Sequence, residues 1–129
     1  MATSPQFAAT PRLTAVSVAT ADSSFTSPTN VGTLITGAST GTRVNEIVAT
    51  VAVSGLSTAA VVRIFIFDGT TYFLFDTLTL SVATSSASVA STRVSATYSN
   101  LILPSASWSV RVTTSVSQAT HVTALAADL

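Results

Sequence analysis

The chain consists of short runs rich in valine and threonine, separated by serine, glycine, proline and asparagine. Residues that favour long helices are scarce, with no lysine and a single methionine. β-branched and aromatic side chains suit a pleated sheet, whereas the scarce residues are the usual helix formers. The pattern therefore predicts an all-β fold, and a length of 129 residues predicts one domain.

Turn residues divide the chain into about eight candidate strands. Eight short antiparallel strands indicate a β-sandwich, and the jelly roll is a common eight-stranded form of it. An immunoglobulin-like sandwich is the alternative, although its Cys…Trp…Cys spacing is missing from a chain without cysteine. The predicted strands are Leu13–Thr20, Val31–Thr36, Arg43–Val53, Val61–Phe67, Tyr72–Val82, Val89–Tyr98, Trp108–Thr114 and Thr120–Ala126.

Prolines mark the places where strand pairing is expected to fail. Pro5 and Pro11 predict a flexible N-terminal arm over residues 1–12, which leaves residues 13–129 as the sandwich domain. The segment Asn100–Pro104 is expected to add only a short edge piece before its proline.

Charge is unusually sparse, and this restricts the partners. Only 8% of the residues are charged, and five arginines balance five acids. Nucleic-acid binding is not expected, because a phosphate-binding groove needs clustered basic residues and these arginines are scattered. A net charge of zero gives little repulsion between copies and favours self-association.

Targeting signals are not evident in the sequence. No uninterrupted apolar run reaches the roughly 18 residues of a membrane span, so no membrane partner is expected. The start Met1–Gln6 has neither a basic region nor a following apolar stretch, which argues against a signal peptide. We therefore expect synthesis in a cytoplasm, with export, if any, inside an assembly.

The clearest local prediction is a hairpin that turns at Asp68-Gly69, between Val61–Phe67 and Tyr72–Val82. Asp-Gly between β-rich runs is a strong hairpin signal, since glycine accepts the positive φ that the turn requires. The turn contains either two or four residues.

The hairpin strands carry apolar residues on both faces. Strict alternation places Val62, Ile64 and Ile66 on one side of the first strand. On the second strand it places Tyr72, Leu74, Asp76, Leu78 and Leu80 on one side. A sandwich strand whose outer face meets solvent carries polar residues on that face. The second apolar face of this hairpin must therefore be covered by another part of the chain or by a partner. An oligomer partner is the favoured cover, with a loop, the N-terminal arm or a wider sandwich as alternatives. The candidate interface comprises Val61, Arg63, Phe65, Phe67, Phe73 and Phe75.

No catalytic, cofactor or metal site is predicted. His121 is the single histidine, and no Gly-x-Ser-x-Gly elbow accompanies it. The five acids form no oxygen-rich cluster for calcium and no evident acid–base pair. They are Asp22, Glu46, Asp68, Asp76 and Asp128.

A structural role is the favoured interpretation for the arginines and the aromatic residues of the later strands. Arg63, Arg93 and Arg111 lie within apolar strands and are expected to pair with carboxylates such as Asp76 or Glu46. Ligand binding by these arginines is the alternative. Trp108 and Tyr98 are expected in the core, and a sugar-stacking platform is the alternative.

Two stretches together resemble small virion proteins of tailed bacteriophages. One is Val61-Val62-Arg63-Ile64-Phe65-Ile66-Phe67-Asp68-Gly69-Thr70, and the other is Asn100-Leu101-Ile102-Leu103-Pro104 followed by Trp108-Ser109-Val110-Arg111-Val112. The similarity spans roughly Gly32 to Thr114. The chain departs from that pattern after Pro104, where Ser105-Ala106 replaces an expected glycine.

The resemblance implies a structural role in a virion. Capsid decoration or cement proteins are the first expectation, acting as homo-oligomers, a trimer by analogy, on the major capsid protein. A tail or fibre-associated protein is the second expectation. A carbohydrate-binding β-sandwich is the alternative from another functional class.

Overall fold

A computed structural model of the chain describes residues 10–56 and 58–129, and within these ranges it contains ten strands and no helix. Eight strands form the body of the domain, and the two-residue strands β4 (Gly55–Leu56) and β7 (Ala83–Thr84) pair with each other. The eight longer strands are β1 (Thr10–Val18), β2 (Gly32–Thr36), β3 (Thr42–Val51), β5 (Ala60–Phe67), β6 (Tyr72–Leu80), β8 (Arg93–Leu103), β9 (Ser109–Thr114) and β10 (Thr120–Asp128).

These eight strands form two four-stranded antiparallel sheets. The first sheet has the order β1-β10-β3-β8, and the second has the order β2-β9-β5-β6. Among the eight, only β5 and β6 are consecutive in the chain and neighbours in one sheet. This alternation between sheets is the jelly-roll arrangement of two Greek keys, and it differs from the immunoglobulin order. The prediction of an eight-stranded, jelly-roll-like sandwich is confirmed.

The core lies between the sheets and consists of the inward-facing residue of each alternating pair. In β3, buried Ile47 and Ala49 alternate with the less buried Val48 and Thr50. Aliphatic side chains dominate this layer, which suits a sandwich because β-branched residues pack well on a pleated surface. Its fully buried members include Ile35, Val44, Ile47, Val62, Ile64, Leu80, Leu103, Val110, Val112 and Val122.

The largest differences from the predicted strand boundaries lie in β1 and β8, and β8 begins at Arg93 where Val89 was predicted. β1 begins at Thr10, so Thr10–Arg12 are strand residues, while residues 1–9 of the predicted arm lie outside the described residues. Pro11 is accommodated because β1 is an edge strand with one unpaired side. β8 continues to Leu103, where a separate edge piece was predicted, because a register shift opposite β3 lets it keep pairing up to Thr42.

A polar cluster joins the first and last strands. The Arg12 guanidinium lies 3.1 Å from the carboxylate of Asp128, which is the only ion pair among the described residues. Arg12 also donates to the carbonyl of Thr36, and the Thr42 hydroxyl donates to Asp128 at 2.7 Å. The hydrogen bond from Thr42, followed by the one from Arg12, lowers the pKa of Asp128. The cluster thereby links the two sheets at one end of the sandwich.

Candidate assembly surfaces

The predicted hairpin is present, with a four-residue connection between Phe67 and Tyr72. The Asp68 carboxylate accepts hydrogen bonds from the backbone N–H groups of Thr71 at 2.7 Å and Thr70 at 2.9 Å. These bonds lower the pKa of Asp68, because they favour its charged form. Gly69 has a φ of 106°, a conformation that glycine adopts without strain. Asp68 and Gly69 therefore build the turn, as predicted.

A β-bulge in the hairpin overturns the simple alternation of faces. The register shifts between Ile64 and Phe65: Ile64 lies opposite Asp76, whereas Phe65 lies opposite Leu74. Phe75 is thus an extra residue, and the extra residue of a bulge reverses the side to which the following residues point. The six residues of the predicted interface therefore do not form one surface.

Phe65 belongs to the outer face of the second sheet, yet it is completely buried within the single chain. The Tyr72 ring meets it edge-on, with ring centroids 5.9 Å apart. The expectation that Phe65 contacts a partner is wrong, since part of the same chain already covers this face. Phe73, by contrast, is 51% exposed.

The connection between β1 and β2, a loop over residues 19–31, lies over part of this face. The Phe25 ring lies against the Arg63 guanidinium at 4.6 Å, and Pro28 is buried. Residues 26–29 line a cleft together with Tyr72 on the opposite side. This loop supplies the intramolecular cover that was the alternative to an oligomer partner.

Asp22 organises the loop. Its carboxylate accepts backbone N–H groups of Thr29 at 2.7 Å, Asn30 at 2.9 Å and Ser24 at 3.0 Å. These bonds, with that from Asn30 the strongest, lower the pKa of Asp22. The backbone N–H of Asp22 also donates to the carbonyl of Thr114, which fixes the loop to β9.

Two arginines lie on the same outer face and are stacked on aromatic rings. The Arg111 guanidinium lies 4.2 Å from the Phe67 ring centroid and donates to the Tyr72 hydroxyl at 3.1 Å. Arg63 has the Phe25 ring over it. We call Arg63, Arg111, Phe25, Phe67 and Tyr72 the arginine–aromatic face.

The predicted pairing of these arginines with acids is wrong. Among the described residues no carboxylate lies within 4.0 Å of Arg63, Arg93 or Arg111. Asp76 instead accepts the Tyr98 hydroxyl at 2.8 Å, and Glu46 lies on β3 of the other sheet. Stacking on aromatic rings replaces ion pairing for Arg63 and Arg111.

A second surface lies on β6, an edge strand of the second sheet. Phe73, Leu74 and Phe75 are 51%, 40% and 44% exposed, and we call these three residues the apolar edge. The Phe75 ring rests against Tyr98 of β8, with centroids 5.3 Å apart. Burial and the hydrogen bond to Asp76 raise the pKa of Tyr98. Sequence alternation identified Phe73 and Phe75 but not Leu74, which the bulge brings to the surface.

The remaining candidate residues do not converge. His121 is exposed on β10, beside Ser17 of β1, and Trp108 packs partly buried against the core. Within residues 10–56 and 58–129, no group of three histidine, aspartate or glutamate side chains is placed to hold a metal ion. Over the same ranges there is no helix long and apolar enough to cross a membrane.

Comparison of the sequence with protein-family models and with curated proteins gives no match. The function therefore has to be argued from the two surfaces and from the fold.

Proposed function

We propose that this chain is a structural protein of a phage virion, a capsid decoration or cement protein that packs as a homo-oligomer on the shell. The observation that supports it best is the apolar edge, three consecutive, partly exposed apolar side chains on the edge strand β6. The absence of lysine also supports it, since lysine commonly guards sheet edges against pairing. The jelly-roll order is compatible with this role, as it is frequent in viral capsid and lectin domains.

The size of the apolar edge indicates how tightly it could associate. Its exposed fractions amount to about 250 Å², taking about 200 Å² for a whole aromatic side chain. Two such edges packed together would contribute at most about 12 kcal/mol at about 25 cal/mol per Å², because Phe73 and Leu74, opposite Ile66 and Phe65, point to opposite faces of the strand. Association costs about 4–15 kcal/mol, so this patch alone gives weak, concentration-dependent association. Contacts with the shell or with a third copy would supply the remainder.

The bulge at Phe75 affects the geometry of association. A bulge interrupts the regular row of backbone donors and acceptors on a strand, so edge-to-edge pairing along β6 is disfavoured. Self-association would then depend on side-chain packing of the apolar edge, which is compatible with the trimer expected by analogy.

Sedimentation velocity over a range of protein concentrations tests self-association. We expect the natural chain to form an oligomer, and the double substitution Phe73→Ser with Phe75→Ser to shift it to monomer. Leu13→Ser is the matched control, because Leu13 is 73% exposed on β1, a distant edge strand of the other sheet. A natural chain that stays monomeric at every concentration, or an equal effect of the control, would contradict the proposal.

The position of the protein on phage particles tests the proposed role in the virion. Antibodies raised against the purified chain should label the heads of intact virions, and adding the chain to heads that lack it should raise their resistance to heat. Labelling confined to tails would favour the tail or fibre alternative. Specific binding on a glycan array that is lost in Phe75→Ala would favour carbohydrate recognition, because Phe75 is the exposed ring beside Tyr98.

A further inference from the structure

Arg63 and Arg111 have no contacting carboxylate among the described residues, although the charges of the chain sum to zero. Four of the five acids make their contacts with groups other than Arg63 and Arg111: Asp22 in its loop, Asp68 in the hairpin turn, Asp76 with Tyr98, and Asp128 with Arg12. The fifth, Glu46, lies on β3 of the opposite sheet. Positive charge on the arginine–aromatic face is therefore not matched by a contacting acid of the described chain.

The two arginines of this face occupy neighbouring positions on adjacent strands. Arg63 lies opposite Thr113 in the β5–β9 ladder, and Arg111 lies opposite Phe65 two positions away. Such diagonal positions on one face are about 7–8 Å apart, near enough for one short segment to contact both. Because each extended residue advances about 3.3 Å, two acidic side chains spaced two residues apart match this separation.

Arg63 also has unused hydrogen-bonding capacity. Its Nε and Nη1 are buried without a hydrogen-bond partner, as is the hydroxyl of its cross-strand neighbour Thr113, so a partner's carboxylate would approach this guanidinium at Nη2. Buried donors without acceptors are costly, and a carboxylate is the acceptor that a guanidinium fork fits best. The structure thus contains a cationic group whose favourable partner is not supplied by the described residues.

The aromatic rings restrict the orientation of both arginines before any partner binds. Arg111 is fixed by the Phe67 ring and by its hydrogen bonds to Tyr72 and Ser109. Such preorganisation lowers the entropy cost of binding. The exposed ring of Phe25 at the rim gives an apolar neighbour for a peptide side chain.

We infer that the arginine–aromatic face binds an acidic peptide segment of a partner protein, with carboxylates on Arg63 and Arg111 and an apolar side chain beside Phe25. Nucleic acid fits less well, because two arginines without lysine do not follow a phosphate backbone. This surface shares no residue with the apolar edge, which it adjoins at Leu74, and the peptide contact is additional to the self-association proposed above.

Titration of ¹⁵N-labelled protein with a blocked Glu-Phe-Glu-Leu-Glu peptide tests the inference, and the corresponding Gln-Phe-Gln-Leu-Gln peptide is the control. We expect the Arg63 and Arg111 Nε–H signals to shift with the acidic peptide only. Raising NaCl from about 20 to about 200 mM should weaken binding severalfold, because salt screens exposed charges. Equal shifts with the neutral peptide would overturn the proposal.

Substitutions locate the contact. Arg63→Gln and Arg111→Gln should each raise the Kd at least about fivefold, the effect of losing one charge-assisted hydrogen bond. Arg93→Gln is the matched control, since Arg93 is exposed on β8 of the other sheet. The dispersion of the ¹H–¹⁵N spectrum reports whether each variant is folded, and the salt dependence of the natural chain needs no variant. An equal loss in Arg93→Gln, equal Nε–H shifts with inorganic phosphate, or tighter binding of an oligodeoxynucleotide would overturn the peptide assignment.

Discussion

Replacing Phe65 by alanine tests whether the outer face of the second sheet is covered by the β1–β2 connection. Phe65 is completely buried, so its removal loses about 1.5–3 kcal/mol of transfer free energy. The cavity left beneath the loop adds to this, giving an expected loss of about 3–5 kcal/mol in the free energy of unfolding. Urea denaturation followed by the fluorescence of the single tryptophan, Trp108, measures the change.

Phe73→Ala is the matched control, because it makes the same chemical change in the same hairpin. Phe73 is 51% exposed, so only about half the transfer term is lost, about 1 kcal/mol. If Phe65→Ala costs no more than Phe73→Ala, the loop does not bury Phe65 and the intramolecular cover is refuted. A shift of the denaturation midpoint with an unchanged slope would show that the loss lies in the folded state.

Three further outcomes are expected. Tyr98→Phe removes the hydrogen bond to Asp76 and should cost about 1 kcal/mol of unfolding free energy. Because the folded-state pKa of Tyr98 is raised, this stabilisation is complete below the ordinary value of 10.0 and is lost as the pH rises beyond it. An absorbance titration in which all tyrosines ionise near pH 10 would contradict this. Gly37→Ala should cost about 1–3 kcal/mol by overpacking, since an added Cβ would clash with the carbonyl oxygen of Ser105. A loss below about 0.5 kcal/mol in thermal unfolding would show that this contact relaxes. The folded-state pKa of Asp22 is lowered, so its contribution to stability is present above the unfolded pKa of 3.8 and is lost as the pH falls through the folded pKa. The Tm difference between the natural chain and Asp22→Asn should therefore shrink in acid. A difference that does not change with pH would refute the role of the charge.

Most strand positions could be predicted from local sequence. Period-two alternation and turn residues are local signals, and they located the hairpin, its Asp68-Gly69 turn and most of the eight longer strands. The boundaries that differ most, in β1 and β8, lie on edge strands. There, an unpaired side or a register shift tolerates residues that would end a central strand.

The surfaces could be predicted only in part. Phe73 and Phe75 were recognised as exposed, but Phe65 was grouped with them because alternation assumes that no residue is inserted. The bulge at Phe75, opposite the step from Ile64 to Phe65, depends on how β6 pairs with β5, and no local pattern in the sequence predicts it. The covering role of Phe25 was missed for a similar reason, since a contact with Arg63 spans 38 positions of the chain.

By itself, the sequence determined that this protein is all-β, that it contains about eight strands, and that its hairpin carries more apolar surface than one face of a sandwich can bury. Composition and alternation suffice for these properties, because they arise from neighbouring residues and the local geometry of a strand. Only the tertiary structure decided the jelly-roll order, which residues remain exposed, and where uncompensated charge accumulates. These depend on pairing between distant segments, as when the bulge in β6 exposes the apolar edge and the β1–β2 connection brings Phe25 onto Arg63.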